Sequence, residues 1–462
     1  MLPFNADIFP FKTGVFVVGG SVRDLLAGRS PHDYDLVVYR DYADFAGRLA
    51  AKIGGHIVEL GRQKQKMLRV VTQDRFFDIM PVNGSSIDDD LRLRDFTINA
   101  MALDLSSGRL IDPLAGQKDL TAKIVRMASR EVFRRDPVRL IRAFRMAAAF
   151  DFSIDHKTRA AIAADAHLIQ KSAGERIRDE LYKILQCTAS YSHLSMMARS
   201  KLLFRVFPEL LESSRLRLSP GAPRSYFDQT LDIYKQIEKL LNPEDQFRRS
   251  MDIQALTDDD ADRPVLLKWA VLFHNLGRLP ADPPPGSGNI DNPDAWADSA
   301  AARAQSICRR LRFSGRHSDT IETIVRHHAR PMALFGDQQE NLPVEIEFIR
   351  LFLDCRDLTP PVLLHALADF RGQNEADDQA IHEFTGFIRM LMQKYYSELL
   401  PRAALPCPIN GNDLIKEFGM KPSAEFRQIL IRVEEERLGR PAFSRDDALK
   451  LVENRLSRKK VE

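Results

Sequence analysis

Asp33 and Asp35 are the first residues of this chain whose types and spacing suggest chemistry. They flank Tyr34 at the start of an apolar run that is typical of a buried strand. Residues two apart on a strand project from the same face, roughly 6–7 Å apart along the backbone. Carboxylates so placed can share divalent metal ions such as Mg²⁺. Two solvated acids at a strand edge are the alternative for an isolated pair of this type.

A double glycine, Gly19-Gly20, precedes this pair at the end of a second apolar run, Val15–Val18. We predict that Ser21 then caps a short helix, which ends near Gly28. The backbone N–H groups of a strand–glycine–helix turn can approach a phosphate closely. Turns of this kind are also common without a ligand, so the glycines alone indicate little.

The clearest local basic cluster contains seven arginines between positions 126 and 145. Asp136-Pro137 has the form of a helix N-cap followed by proline at the first helical position. Arg139, Arg142 and Arg145 then recur every third residue and share one face of the predicted helix. Such a stripe can hold phosphates, or it can be a solvated face neutralised by ion pairs.

The predicted secondary structure that positions these residues changes from strands to helices along the chain. Period-two and β-rich runs at 15–18, 34–39, 67–71 and 76–80 are confined to about the first 120 residues. The last run contains Asp78, which is either a further carboxylate beside Asp33 and Asp35 or an acid neutralised by an arginine. From Thr121 onward apolar residues recur at helical spacing. We therefore predict an α+β protein with a small mixed-sheet head and a mostly helical body.

The composition narrows the possible functions. The chain has 462 residues and is 44% hydrophobic, which is enough to build real cores. Its 67 lysines and arginines nearly balance 64 acidic residues, so affinity for nucleic acid must come from local clusters. Four widely spaced cysteines favour a reducing cytoplasm over a disulfide framework or a thiolate zinc site. No apolar stretch of about 18 residues is present, so we expect no membrane association.

The motif Gly19–Asp24 (GGSVRD) followed by His32–Asp35 (HDYD) resembles the head of the bacterial tRNA nucleotidyltransferase and poly(A) polymerase family. In that family GGxVRD and DxD form the triphosphate and metal site. The resemblance implies that Gly20 and Arg23 face the nucleotide phosphates, and that Asp33 and Asp35 hold two Mg²⁺ ions and are catalytic.

Two further head motifs extend the resemblance. Asp90–Ala100 (DLRLRDFTINA) is similar to the family's RRDFTINA segment, which implies a role for Arg94 in sugar and phosphate binding. Leu93 stands where a second arginine is usual. Ile111–Leu120 is similar to the hinge motif that joins the head to the neck.

The arginine-rich helix resembles the family's EDxxRxxRxxR motif, in which the aspartate and first arginine read the base and the other arginines hold phosphate. This implies base reading by Asp136 and Arg139 and phosphate binding by Arg142 and Arg145. A fixed acceptor beside a donor suits cytosine and adenine, because uracil and guanine present a carbonyl and an N–H there. Arg135 replaces the usual glutamate, a change that could alter base selectivity.

Two helical segments are also similar to family features. Glu175–Leu181 resembles the ERIxxEL motif of the neck, where Glu175 and Arg176 could simply pair within one helix. The segment 226–370 resembles an HD domain, a metal-dependent phosphohydrolase fold whose expected ligands are H, HD, H and D. Gln229 and Asn275 stand at two of these positions and are weak metal ligands. We therefore expect no metal there, although three of the expected donors remain: His274, His328 (or His327) and Asp369.

The resemblance divides the chain into four parts. Residues 1–120 form the nucleotidyltransferase head, 121–220 a helical neck with the base-reading helix, 221–380 a degenerate HD-like helical domain, and 381–462 a helical C-terminal tail that contacts RNA. The expected activity is template-independent addition of C and A to tRNA from CTP and ATP, giving the CCA end. A poly(A) polymerase, or an enzyme that adds only CC or only A, has every motif quoted. A non-catalytic RNA-binding protein is the alternative from another class, and the intact Asp33 and Asp35 argue against it.

Overall fold

The computed structural model describes residues 5–31, 33–60, 67–245, 247, 249, 260–279, 293–374 and 376–459. The chain forms two compact units, Met1–Pro208 and Glu209–Glu462. The first contains a mixed sheet and helices, whereas the secondary structure described in the second is helical apart from an isolated β-bridge between Arg217 and Ser225. The predicted α+β class is therefore confirmed.

In the part of the first unit that the structure describes, seven strands form the sheet. They are β1 (Val15–Val18), β2 (Asp33–Val38), β3 (His56–Leu60), β4 (Met67–Val71), β5 (Phe76–Pro81), β6 (Ala102–Asp104) and β7 (Leu110–Ile111). Their order is β3-β4-β5-β2-β1-β6-β7, with β2 and β5 parallel and all other neighbours antiparallel. A separate parallel pair joins β8 (Ile124–Val125) to β9 (Ser153–Ile154).

The central strand β1 is apolar throughout because both of its faces are covered. Val15 and Val17 pack in one core with Phe45, while Phe16 and Val18 pack in another with Leu91. Alternate residues of a strand point to opposite faces, so the four consecutive apolar residues serve two separate cores. Burial on both faces fixes the position of the C-terminal end of β1, where the glycine turn begins.

Among the described residues, eleven α-helices begin in the first unit or at its boundary. They are α1 (Gly20–Leu26), α2 (Tyr42–Ile53), α3 (Ile87–Arg92), α4 (Gly116–Thr121), α5 (Val132–Arg135), α6 (Arg139–Phe150), α7 (His156–Asp165), α8 (Gly174–Leu185), α9 (Ser190–Arg199), α10 (Leu202–Val206) and α11 (Pro208–Arg215).

Two predicted helix caps are wrong. Gly19 is the N-cap of α1, and Ser21 lies inside the helix, where its hydroxyl bonds to β2 instead. Asp136 ends α5, and α6 begins at Arg139 after Val138, with no side-chain cap. In both cases the side chain that the sequence predicted as a helix cap instead contacts a residue of another element.

The described helices of the second unit after α11 are α12 (Tyr226–Leu241), α13 (Arg263–Phe273), α14 (Pro293–Arg310), α15 (Gly315–His327), α16 (Arg330–Gln339), α17 (Glu345–Cys355), α18 (Thr359–Gln373), α19 (Asp378–Lys394), α20 (Leu400–Ala404), α21 (Gly411–Phe418), α22 (Ala424–Gly439) and α23 (Arg445–Lys459). A short 3₁₀ helix, His274–Arg278, follows α13. None of the helices in the described ranges is long and apolar enough to cross a membrane.

Candidate active site

Three carboxylates meet on neighbouring strands of the head. Asp33 and Asp35 lie at the start of β2, and Asp35 is the direct register partner of Asp78 on the parallel strand β5. Asp33 is exposed, Asp35 is half-buried and Asp78 is buried. Exposure to solvent therefore decreases from Asp33 through Asp35 to Asp78.

Asp78 satisfies both alternatives that the sequence left open. It lies beside Asp35, and the guanidinium of Arg69 on β4 also binds it through two hydrogen bonds, of 2.7 and 2.8 Å. A two-pronged arginine–carboxylate pair fixes the orientation of both groups. Arg69 thus neutralises the innermost acid and leaves the outer two available.

The electrostatics of the outer two acids fit a cation. The pKa of Asp35 is raised to about 6, chiefly by burial and also by the charges of Asp78 and Asp33, while Arg94 opposes the shift. In the described part of the chain, neither Asp33 nor Asp35 has an ion-pair partner. Carboxylate oxygens that are not engaged in an ion pair suit a hard divalent ion.

The turn between β1 and α1 requires glycine for two reasons. Gly19 has φ +71, and a Cβ there would lie 2.7 Å from Nη1 of Arg94 and 3.1 Å from Oδ2 of Asp35. The Ser21 hydroxyl donates to the carbonyl of Asp33 and accepts from the N–H of Asp35, both at 3.0 Å. The glycine turn is therefore attached directly to the strand that carries the acids.

The two head arginines occupy different environments. Arg94 pairs with Asp90 at 3.1 Å and reaches the Gly19 turn, close to Asp35. Arg23 is buried, donates to Asn99 at 2.6 Å and to Asp24 at 2.9 Å, and lies over the ring of Phe150. Arg94 is thus the arginine placed at the edge of the acid cluster.

A second group surrounds a cavity of about 470 Å³ in the same unit. Its lining residues are Asn83, Leu93, Arg135, Asp136, Arg139 and Arg176. Both oxygens of Asp136 accept hydrogen bonds from Arg176 of α8, at 3.0 and 2.8 Å. Arg139 donates to the carbonyl of Leu93 at 3.1 Å and lies 3.7 Å from Asp136. Burial lowers the pKa of Arg139.

Arg142 and Arg145 do not line this cavity. Arg142 donates to Glu180 at 2.8 Å and to Asp95 at 3.4 Å, and Arg145 pairs with Glu180 at 2.6 Å. Burial would raise the pKa of Asp95, but Arg142 and a hydrogen bond from Asn99 outweigh it and lower the pKa. The predicted arginine stripe is thus split between a cavity and an internal ion-pair network.

The sequence did not indicate four residues that pair with the predicted site residues: Arg69, Asn99, Arg176 and Glu180. Arg176 and Glu180 lie in the segment that resembles ERIxxEL, so the motif was visible. Their partners lie about forty residues earlier in the sequence, and the periodicity of one helix carries no information about such contacts. The suggested pairing of Glu175 with Arg176 is replaced by the contact of Arg176 with Asp136.

The geometry agrees with known families. The family model for the Poly A polymerase head domain matches residues 15–126, and that for the probable RNA and SrmB-binding site of polymerase A matches residues 151–213. The fold is similar to that of a CCA-adding enzyme in complex with CTP, with a TM-score of 0.65 and 20% identity, covering 96% of this chain and 91% of that one. At that identity the likeness shows the fold.

Relatives that match two thirds or more of this chain show the family. The chain is 31% identical over 440 residues to the A-adding tRNA nucleotidyltransferase of Deinococcus radiodurans, covering 93% of this chain and 92% of the relative. It is 26% identical over 435 residues to the CC-adding tRNA nucleotidyltransferase of Synechocystis sp., covering 94% and 91%. The multifunctional CCA protein of Aromatoleum aromaticum is 30% identical over 331 residues, covering 68% and 74%. With its mixed-sheet head and helical body, this chain belongs to the tRNA nucleotidyltransferase and poly(A) polymerase family and is a metal-dependent nucleotidyltransferase.

Proposed function

We propose that this protein adds C and A to the 3′ end of tRNA, using CTP, ATP and Mg²⁺ and no nucleic-acid template. The observation that carries the proposal is the cavity in which Asp136 and Arg139 present an acceptor beside a donor, in the unit that holds Asp33 and Asp35. The relatives named A-adding, CC-adding and multifunctional CCA proteins support a tRNA 3′ end as the substrate.

In the proposed reaction, the 3′-hydroxyl of the RNA attacks the α-phosphate of the nucleotide and pyrophosphate leaves. Asp33 and Asp35 would hold the metal ions, and Asp78, neutralised by Arg69, borders the buried side of the site. Bound Mg²⁺ would favour the deprotonated hydroxyl and stabilise charge on the phosphates. Arg94 and the N–H groups at Gly20 bind the triphosphate, since both lie at the turn beside Asp35.

Base choice is proposed to depend on the protein alone. Asp136 accepts from the amino group that cytosine and adenine share, and Arg139 donates to the adjacent ring nitrogen. Arg176 holds the Asp136 carboxylate through both oxygens, so it is a positioning residue for the base-reading acid. Arg142 and Arg145 brace α6 against α8 through Glu180, and we propose that Arg23 likewise acts through Asn99. Any phosphate contact by these three arginines would require their present partners to be exchanged.

Addition of A alone is the second candidate. The Deinococcus radiodurans relative, matched over 93% of this chain, is named A-adding. Arg135, which stands where the family usually has glutamate, lines the cavity that contains Asp136. An added positive charge there changes the field around the incoming base.

One experiment separates these activities. Three tRNA transcripts, ending at the discriminator base, at C and at CC, are each incubated with CTP, with ATP and with both. CCA addition predicts full extension of all three with both nucleotides, whereas A-only addition extends only the transcript ending in CC. Repeated addition of A identifies a poly(A) polymerase. No incorporation with any transcript, or with a bulk RNA, would refute the proposed function in favour of RNA binding alone.

Substitution of the acids tests the metal site. Asp33→Ala and Asp35→Ala should each abolish incorporation and leave the melting temperature unchanged or raised, because two uncompensated carboxylates repel each other. Asp44→Ala, which removes an exposed acid from the head helix α2, is the matched control and should keep full activity. Full activity in either site variant would overturn the assignment.

The four-part division of the chain and the cytoplasmic location remain part of this proposal. The cysteines support the location, because buried Cys308 and Cys355 are free thiols.

A further inference from the structure

A buried histidine cluster in the second unit lies outside the residues used above. His274 follows α13, His328 follows α15, and His365 and Asp369 lie one turn apart on α18. All four side chains are at most 8% exposed. The donor atoms of His274, His328 and Asp369 lie within 4.8 Å of one another.

The hydrogen bonds of two histidines direct their free nitrogens into the cluster. Nδ1 of His274 bonds to the carbonyl of Val271, and Nδ1 of His328 to the carbonyl of Val325, both at 2.7 Å. A carbonyl partner requires the proton on Nδ1, which leaves a lone pair on Nε2. Metal-binding histidines are usually oriented in this way by a carbonyl or a carboxylate.

His365 adds an imidazole that the HD pattern lacks. Its ring centroid lies 4.9 Å from that of His274 and 4.8 Å from that of His328. Within the described residues, both of its ring nitrogens are buried without a hydrogen-bond partner from another residue, as is Nε2 of His274. Buried polar atoms without partners are rare, and each calls for an explanation such as an ion.

The negative charge of Asp369 in the cluster also favours a bound cation. Asp369 accepts a hydrogen bond from Gln373 at 2.6 Å and forms no ion pair within the described residues. The nearby Arg278 instead stacks on Trp296, 3.4 Å from the ring centroid. Gln229 and Asn275, the substituted HD positions, hydrogen-bond to each other at 3.2 Å and are already satisfied.

We propose that His274, His328, Asp369 and His365 bind one structural Zn²⁺ ion. Three imidazoles and one carboxylate complete a four-coordinate site of the structural type, with no open position for a reacting water. Tetrahedral bonds of about 2.0–2.1 Å place ligand atoms about 3.3 Å apart, so binding draws the donors of His274, His328 and Asp369, which lie within 4.8 Å of one another, together by at most roughly 1.5 Å, and the His365 ring turns to supply the fourth ligand. This reverses the expectation from Gln229 and Asn275, because it uses a different ligand set and supplies no hydrolysis.

The test measures bound metal directly. The full chain, purified without a histidine tag and dialysed against Mg²⁺, should contain about one equivalent of zinc by mass spectrometry. His274→Gln and Asp369→Asn should lose the zinc, whereas His327→Gln should retain it. His327 is the matched control because it adjoins His328 in sequence but contacts Arg330 instead. Asp33→Ala/Asp35→Ala should also retain the zinc, which excludes the head as its site.

Cobalt substitution keeps the test decisive if a cluster variant misfolds. The wild-type protein loaded with Co²⁺ should show the intense visible absorption of a tetrahedral ion, and a chelator that removes zinc should lower its melting temperature. Wild-type protein that takes up neither zinc nor cobalt would overturn the proposal. So would a folded His274→Gln variant that keeps its full zinc content.

Discussion

Removing the carboxylate of Asp136 should change which nucleotides the enzyme accepts. The carboxylate lines the cavity and is held by Arg176 at 2.8 and 3.0 Å, with 22% of its side chain exposed. Loss of one base contact costs about 1–3 kcal/mol of discrimination, or roughly one to two powers of ten. In Asp136→Ala the use of UTP and GTP, relative to CTP and ATP, should therefore rise by about 10- to 100-fold.

The same geometry predicts little effect on folding. Arg176 is 48% exposed, so water can solvate its guanidinium once Asp136 is gone, and a half-exposed ion pair contributes about 0–1 kcal/mol. Arg139, which is more buried, keeps its bond to the carbonyl of Leu93. The melting temperature of Asp136→Ala should accordingly remain close to that of the wild type.

The assay is kcat/KM for each of the four nucleotides on tRNA ending at the discriminator base. Arg134→Ala is the matched control: it removes a charge from α5, two residues from Asp136, at an exposed arginine that pairs only loosely with Glu131. Its nucleotide ratios should equal those of the wild type. If Asp136→Ala lowers kcat/KM equally for all four nucleotides, the base-reading argument is refuted, because phosphate contacts carry no base information.

Three further outcomes test the fold. Gly116→Ala should destabilise the head by about 1–3 kcal/mol in urea unfolding, because its Cβ would lie against the carbonyl oxygen of Thr97; an unchanged midpoint would contradict this close approach. Gly47→Ala, a helical position with open space around the Cβ, should instead stabilise by roughly 0.5–1 kcal/mol, which the same titration measures. Burial raises the pKa of Cys308 and of Cys355 to about 12, so both should stay unreactive to a thiol reagent between pH 7 and 9 and react only after unfolding; rapid labelling of all four cysteines in the native state would be inconsistent with this.

Local patterns in the sequence predicted β1, β2, β4 and β5, and β1, which is buried on both faces, is visible as the consecutive apolar residues Val15–Val18. They did not predict β3, which is mostly exposed, or the short strands β6 to β9. The two acids that we propose bind metal were visible because Asp33 and Asp35 share one short strand. What escaped prediction was the set of contacts between distant segments. The side chains of Ser21 and Asp136 are polar groups at helix ends, and sequence alone assigned them to the nearest backbone. In the folded chain the Ser21 hydroxyl bonds to β2 and the Asp136 carboxylate bonds to Arg176, because folding brings these partners within reach.

The parallel pairing of β2 with β5 has a consequence for how the head assembles. Asp35 and Asp78 are more than forty residues apart in sequence, so their contact forms only after a long loop has closed. During synthesis from the N-terminus, β2 emerges first and presents an unpaired edge until residues 76–81 arrive. The two outer acids at that edge repel each other and other acidic edges, which protects the unfinished sheet from pairing with another chain. The acidic charge at the start of β2 thus also disfavours wrong pairing of the strand while the head is incomplete.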